Sequence, residues 1–420
     1  MGRRPPSSGP RREPTPIRRP PTLLVLSQVY VPDPAAVGQY MADAAAEMAR
    51  RGWRVRVLTS RNGYDDPSVR YSRRELRDGV EIRRIPWSSF GKRSIAVRLV
   101  GGLSFVFQAI VRSFRLGKID AILVSTSPPI AALAALIIGR MRRAPLKFWV
   151  MDVNPDQIVA LGGARRGALS VRLLDWLNAR VLARAHDVVV LDRFMAGRIN
   201  AKRDVQDKLA VIPPWPQEDQ LQPIPHAQNP FRAAHGLEGK LVVMYSGNHG
   251  PSHPLATLLQ AAARLVTEPR VVFMFIGGGI GKREVEAAGL ANVRSLPYQP
   301  LTTLGHSLSA GDLHVVTLGD DVVGIVHPSK VYGAMAVARP ILLIGPERSH
   351  VGDLLRQEPI GWALSHGDVD GLVKLLRSLL EQPSEELAAR GQRAHAMIRN
   401  GLSKAVLCGA LCDVLERGVG

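Results

Sequence analysis

Three short segments hold the residue types that could manage a charged ligand. "YSGNHG" closes an apolar run at 241–247, and "GGGIGKRE" (277–284) closes another at 271–279. Glycines at such strand ends, Gly247, Gly278 and Gly279 among them, let backbone N–H groups approach a phosphate, and Asn248, Lys282 and Arg283 follow closely. The spacing is not the dinucleotide fingerprint, because Ile280 and Lys282 interrupt it. Without a ligand, the same residues make a glycine-rich turn with surface cations opening a helix. The third segment is "HPSKVYGAMAVARP" (327–340). Pro328 or Ser329 can open a helix there. Lys330 then falls in the first turn, where the macrodipole disfavours a cation. A bound diphosphate gives that lysine a reason; a solvated side chain is the plainer account.

In the first half, Asp152 closes the run "LKFWVMD" (146–152). It can bind hydroxyl groups or take a proton, or it caps the loop before Pro155. Asn154 and Asp156 stand beside it. Gly38 follows a proline-rich turn at a helix start. Other residues fit plain structural roles. "DVD" (368–370) spells a metal-binding pattern, but it precedes a helix and Asp368 reads as its N-cap. Asp320 and Asp321 read as solvated loop residues with possible cleft contact. His186 precedes a buried strand and reads as structural. Cys408 and Cys412, four apart, read as one face of a helix, and the chain's Cys and His form no metal-binding pattern. Ser125, Ser127 and Ser170 have no His–acid arrangement nearby, so a hydrolase triad is unsupported.

Residues of this kind need strand ends to stand on, and the chain supplies them in two series. "TLLVLSQVY" (22–30), "WRVRVLTS" (53–60), "GVEIRRIPW" (79–87), "AILVST" (121–126), 146–152, "DVVVLD" (187–192) and "LAVIPP" (209–214) read as strands. Helices are expected between them at 39–52, 94–115, 129–142, 167–184 and 193–202. The strand at 79–87 is expected in a hairpin. Residues 213–230 hold six prolines and no periodicity, which marks a linker. A second series follows at 241–247, 271–279, 292–297, 312–318, 340–345 and 361–365, and the chain beyond about 368 reads as helical. Strands apolar from end to end imply parallel sheets covered on both faces. The fold class is therefore α/β, with two Rossmann-like doubly wound domains facing a cleft and a helical C-terminal tail. The expected boundaries are a basic tail at 1–20, domains at 21–212 and 231–400, the linker at 213–230 and a final helix at 401–420.

The 420 residues carry 55 Lys+Arg against 36 Asp+Glu, a formal charge of +19. Residues 1–225 hold 37 basic and 19 acidic residues, while 226–420 hold 18 and 17, so nearly all the charge lies in the first half. That half suits an anionic partner: nucleic acid, an anionic membrane surface or a phosphorylated substrate. The first 20 residues, rich in Arg and Pro, match neither a secretory signal nor a folded element. The apolar stretches 95–111 and 121–138 are interrupted by Arg98 and a Gly pair, and by Pro128 and Pro129, so no membrane span is expected. Arg98, Arg112 and Arg115 flank an apolar helix face, which keeps surface attachment open.

The pair of domains together with "PSKVYGAMAVARP" resembles glycosyltransferase family 4, whose fold is GT-B. "NVRSLPYQPLTTLGHSLSAGDLHVV" is similar to the family's segment after its Gly-rich loop, "VLDRFMAGRI" and "DKLAVIPP" to its run into the linker, and "MDVNPD" to its acidic loop at the cleft. The likeness covers roughly 22–400 and looks closest to transferases of surface-polysaccharide assembly. It implies metal-independent, retaining transfer from a UDP- or GDP-sugar on the C-terminal domain to a lipid-linked or polysaccharide acceptor on the N-terminal one, with no cofactor. The basic first half and the apolar helix face near 95–115 lead to the expectation of a cytoplasmic protein, peripheral at the inner face of the membrane. The implied donor set is Gly38, Gly247, Asn248, Gly278, Gly279, Lys282, Arg283, Ser329, Lys330 and Val331, with backbone groups near Tyr298 and Gln299 at the base; Asp152 and Lys330 are the implied catalytic groups. The family's paired Glu residues fall on Ile325 and Gly333, and its usual Arg and Lys fall on Asn248 and His253. Diphosphate binding then leans on Lys282, Arg283 and Lys330.

Three other functions compete. A GT-B sugar-nucleotide epimerase would release nucleotide without transfer. A non-catalytic GT-B partner is motivated by Ile325 and Gly333. A nucleic-acid binder is suggested by charge alone, and the chain lacks a helix-turn-helix, zinc finger or aromatic-studded basic strand pattern.

Overall fold

The computed structural model describes residues 19–33, 35–63, 66–90, 95–216, 221–381 and 384–419. The N-terminal half builds an eight-stranded sheet in the order β3-β4-β2-β1-β5-β6-β7-β8. Its strands are β1 Thr22–Leu26, β2 Arg54–Ser60, β3 Arg74–Arg77, β4 Val80–Ile85, β5 Ala121–Ser125, β6 Leu146–Trp149, β7 Asp187–Val190 and β8 Leu209–Val211. All neighbours are parallel except β3 and β4. The hairpin expected at 79–87 is real, and its partner is β3, whose sequence RELR is charged and mostly exposed at the sheet edge. Such an edge carries no apolar signal to read.

Helices α1 Ala36–Arg50, α2 Ile95–Ser113, α3 Ala131–Arg142, α4 Asp156–Ala160, α5 Leu169–Arg184 and α6 Arg193–Lys202 cover this sheet. Helix α1 shows why: Met41, Ala44, Ala45 and Met48 are fully buried at helical spacing. The stretch Leu99–Leu116, in α2 and the turn after it, has mean hydropathy 1.3 and is by length and composition alone apolar enough to cross a membrane, a test that the core helix of a globular domain also passes. One face belongs to the domain, since Phe105 and Ala109 are fully buried in its core.

The C-terminal half builds a wholly parallel six-stranded sheet in the order β11-β10-β9-β12-β13-β14. These strands are β9 Leu241–Asn248, β10 Val271–Gly278, β11 Val293–Leu296, β12 Leu313–Thr317, β13 Ile341–Ile344 and β14 Gly361–Leu364. Helices α7 Pro230–Ala234, α8 Ala256–Arg264, α9 Lys282–Ala287, α10 Leu304–Ser309, α11 Lys330–Ala336 and α12 His350–Gln357 lie among them, followed by α13 Val369–Glu381, α14 Ser384–Met397 and α15 Lys404–Glu416. Asp368 accepts a hydrogen bond from the Gly371 N–H at 2.9 Å, as a capping residue does.

The last helix does not trail off the C-terminal domain. Leu407, Cys408, Leu411, Cys412, Val414 and Leu415 are buried in the core of the N-terminal one. Lys147, fully buried, pairs with Asp187 at 2.5 Å and donates to the carbonyls of Val414 (3.1 Å) and Arg417 (2.6 Å). His186 joins Asp187 at 2.7 Å, so its role is structural as expected.

Candidate functional site

Lys330 opens α11, as its sequence context predicts, but the helix has only seven residues. So short a helix contributes little dipole, and the lysine itself matters more than the helix end. Its ammonium lies 4.0 Å from the centre of the Tyr245 ring and donates to the Tyr245 hydroxyl at 2.5 Å. Tyr245 is held in turn by donating to the Asn248 carbonyl at 2.7 Å. Among the described residues no carboxylate lies within ion-pair distance of Lys330. The side chain keeps some solvent contact at the cleft, while surrounding protein strips most hydration from the charge. Burial pushes its pKa down to about 7.

The two glycine-rich strand ends lie side by side. Gly247 has φ +139°, and a Cβ there would stand 3.4 Å from the Lys330 Cε. Gly277, also at φ +139°, would place a Cβ 2.0 Å from the Gly247 carbonyl oxygen. Only glycines permit this backbone-to-backbone approach. Gly278 lies under the ring of Tyr298, which is 60% exposed at the rim. Gly279 backs onto Asn248 and His249. Lys282 is half-buried, with Nζ 3.4 Å from the Gly277 carbonyl and 3.7 Å from Glu286. Arg283 is exposed, and Gln299 donates locally to the Pro297 carbonyl at 3.0 Å.

Two expected contacts come out differently. Ser329 holds the N-cap position with helical backbone angles (φ −59°, ψ −18°) and makes no side-chain cap. Its hydroxyl instead faces Tyr40 of the N-terminal domain. Val331 is fully buried in the C-terminal core, and its N–H bonds the Pro328 carbonyl at 3.3 Å, so its side chain cannot touch a donor. At the former paired-acid positions, Ile325 is buried and Gly333 faces only Leu308, 3.5 Å from where a Cβ would be. His253 is half-buried with its ring 2.7 Å from the Thr317 carbonyl, and loss of hydration pushes its pKa down to about 3, so it stays neutral.

On the N-terminal side, Asp152 follows β6 with its N–H 3.2 Å from the Thr126 hydroxyl, and burial lifts its carboxyl to about 6. Gly38 sits in the first turn of α1, where a Cβ would press to 3.0 Å on the backbone of Tyr30. That contact explains the glycine by packing. Asp156 pairs with Lys202 at 2.5 Å and Asn154 binds Asn178, so both serve the loop. Asp320 and Asp321 line a cavity of ≈ 420 Å³ between the domains, together with Leu161, Ser252 and Thr257.

Sequence reasoning missed the aromatic and histidine residues around these loops. His249 is buried against Tyr245 and Phe275, and its Nε2 has no hydrogen-bond partner among the described residues. Burial lowers its pKa, and Lys330 and Lys282 add to that. A chain of bonds also crosses between the domains: Asp192 to His327 at 2.8 Å, His327 to Tyr332 at 2.9 Å, Tyr332 to His350 at 2.7 Å. Asp192, His327 and His350 are close enough to hold a metal ion. However, His327 uses both ring nitrogens and the Asp192 Oδ2 is taken, so the hydrogen bonds already account for the cluster. The repeated His in "GNHGPSH" and "VHP" was the available signal.

Residues 35–215 match the glycosyl transferase 4-like domain. Over 291 residues the chain is 29% identical to the probable glycosyltransferase WbjE of Pseudomonas aeruginosa, covering 67% of this chain and 72% of that protein. Over 386 residues it is 25% identical to the putative colanic acid biosynthesis glycosyl transferase WcaI of Escherichia coli (strain K12), covering 88% and 94%. The fold is similar to that of Anabaena HepE in complex with UDP and glucose, with TM-score 0.70, 15% identity and coverage of 94% and 99%.

Proposed function

We propose that this chain, a family 4 glycosyltransferase of GT-B fold, moves a sugar from a nucleotide-sugar donor on its C-terminal domain to a lipid-linked or polysaccharide acceptor on its N-terminal domain, with retention and without a metal ion. The observation that carries the reading is Lys330, a cation with no counter-charge among the described residues, set against two glycine strand ends. As the glycosidic bond breaks, the departing diphosphate gains negative charge. Lys330 and Lys282 stand where they can neutralise it, and a positioned cation is worth most in the transition state. Asp152, lifted to about 6, is poised to accept the proton of an acceptor hydroxyl near neutral pH. The UDP and glucose of HepE favour a nucleotide-sugar donor, and the colanic acid assignment of WcaI favours a polysaccharide product.

The acceptor side supports a membrane surface at the inner leaflet. The outer face of α2 exposes Leu103 (51%) and Phe107 (69%), the turn after it exposes Phe114 (55%), and Arg142 packs over the Phe114 ring. An apolar stripe beside arginines suits an anionic lipid surface.

A thermal-shift panel of UDP, GDP and their sugars, followed by a transfer assay, tests the reading. Stabilisation by one nucleotide with measurable sugar transfer is expected. Nucleotide binding without transfer or hydrolysis would favour a non-catalytic GT-B partner, the reading to which Ile325 and Gly333 lend weight.

A further inference from the structure

Lys330 belongs to the C-terminal domain, yet the residues around it are gripped from the N-terminal one. His327, three residues before it, donates through Nδ1 to Asp192 Oδ2 at 2.8 Å, with side chains 1% and 3% exposed. Further back, the Ile325 carbonyl accepts from the Val153 N–H at 2.9 Å and the Val323 carbonyl accepts from Arg198 at 2.6 Å. Two residues beyond Lys330, the Tyr332 hydroxyl meets His327 Nε2 at 2.9 Å.

Asp192 divides its carboxylate between two tasks. Oδ1 accepts the N–H groups of Phe194 (2.9 Å) and Met195 (2.8 Å), capping α6, while Oδ2 reaches across the interface. Capping alone needs one oxygen, which serine supplies as well. The second oxygen is used only when the domains meet. A buried, charge-assisted hydrogen bond between two domains is strong and directional, and it forms within a few residues of the donor lysine.

We infer that Asp192 is a positioning residue: by holding His327 across the interface it sets the Lys330 ammonium over Gly247 and makes donor-site geometry depend on the meeting of the two domains. This rests on the reading of Lys330 as the diphosphate contact. Displacing a catalytic cation by about 1 Å costs on the order of 100-fold in rate, mostly at the transition state.

The test is a double-mutant cycle in the full chain with Asp192→Ser, which keeps a capping hydroxyl but cannot reach His327, and His327→Gln. Each single variant is expected to lower kcat about 10- to 100-fold with donor KM changed less than about threefold. The double variant is expected to be no worse than the poorer single one within about threefold, because one contact is lost in all three. Asp192→Asn, whose single oxygen can cap α6 while its amide NH2 donates to His327 Nδ1 in the other ring tautomer, is expected to recover most of the rate. Small-angle scattering of the UDP-saturated protein should show a larger radius of gyration in Asp192→Ser than in the wild type. Independent losses that multiply, or wild-type kcat in Asp192→Ser, overturn the inference. If the wild type transfers no sugar from any nucleotide, the transferase reading fails by itself. The scattering then decides: equal radii overturn the interdomain role, and an enlarged variant upholds it.

Discussion

The Lys330 ammonium and the Tyr245 hydroxyl form a 2.5 Å hydrogen bond that gives the lysine an orienting partner, while the described residues offer it no counter-charge. A carboxylate in that place would neutralise the lysine before a diphosphate arrived. Tyrosine aims it and leaves its charge for the ligand. Lys330→Ala is expected to lower turnover by about two to three orders of magnitude with the fold intact, by analogy with removal of an oxyanion-stabilising group. Steady-state kinetics beside a thermal melt check this, and unchanged kinetics would remove Lys330 from the mechanism.

The depressed lysine predicts a pH dependence. Between about 7 and its ordinary 10.5 the unfolded chain holds a proton that the folded, unliganded protein has released. Stability of the free protein therefore rises with pH across that window, as far as Lys330 decides it. Nucleotide binding runs the other way. A diphosphate favours the ammonium form, so affinity falls as pH rises above about 7 and binding takes up a proton. Titration calorimetry at pH ~8 in buffers of different ionisation heat should show this uptake, and Lys330→Met should abolish it. No uptake in the wild type would mean the lysine is already charged when free.

Gly247→Ala should damage the donor site twice over. Its φ of +139° strains any side chain, by roughly 1–3 kcal/mol, and the new methyl would stand 3.4 Å from the Lys330 Cε. Gly236→Ala is the control: φ is +56° with nothing within 4 Å, so only the backbone strain remains, about 1–2 kcal/mol. Nucleotide affinity should drop in the first variant and hold in the second; equal affinity in both would show that Gly247 has no bearing on the lysine.

Lys147→Met should loosen the final helix. It leaves Asp187, 5% exposed, without its 2.5 Å partner, and breaking a buried pair costs about 3–5 kcal/mol. His186 and Arg417, at 2.7 Å and 3.8 Å from Asp187, should soften the loss. Hydrogen exchange is expected to rise across α15 before the rest of the domain. The paired change Lys147→Met with Asp187→Leu should recover much of the stability, and a double variant as weak as the single would argue against an unpaired charge as the cause.

At the surface, the full chain should bind anionic vesicles at low salt, ignore neutral ones and detach as salt screens the contact over ~8 Å. Phe107→Ser, on the exposed face of α2, should weaken binding. Equal binding to neutral vesicles, or retention at high salt, would point to hydrophobic insertion instead.

What the sequence makes legible follows its physics. Apolar runs such as "TLLVL" and "LVVMY" are strands because a parallel sheet buries both faces. Gly247, Gly278, Gly279 and Lys330 were visible because strand ends and a misplaced first-turn cation break local rules. Strand β3 was not, since its RELR edge has no apolar period. Nor was the bond between Asp192 and His327, 135 positions apart, because nothing local in either residue says that two domains will meet there. The Ser329 hydroxyl reads as a cap because capping is a local property, while in the fold it faces Tyr40 of the other domain. Val331 shows the opposite limit: membership of a motif does not say which way a side chain points.

The return of α15 to the N-terminal core has a mechanical consequence. The backbone passes between the halves twice, once through 213–230 and once through the π-helical turn Ile398–Leu402. A body tied to another at one point can swivel in any direction. Tied at two, it loses part of that freedom. The range over which the donor loops and Asp152 can approach one another is therefore narrowed by a helix at the far end of the chain.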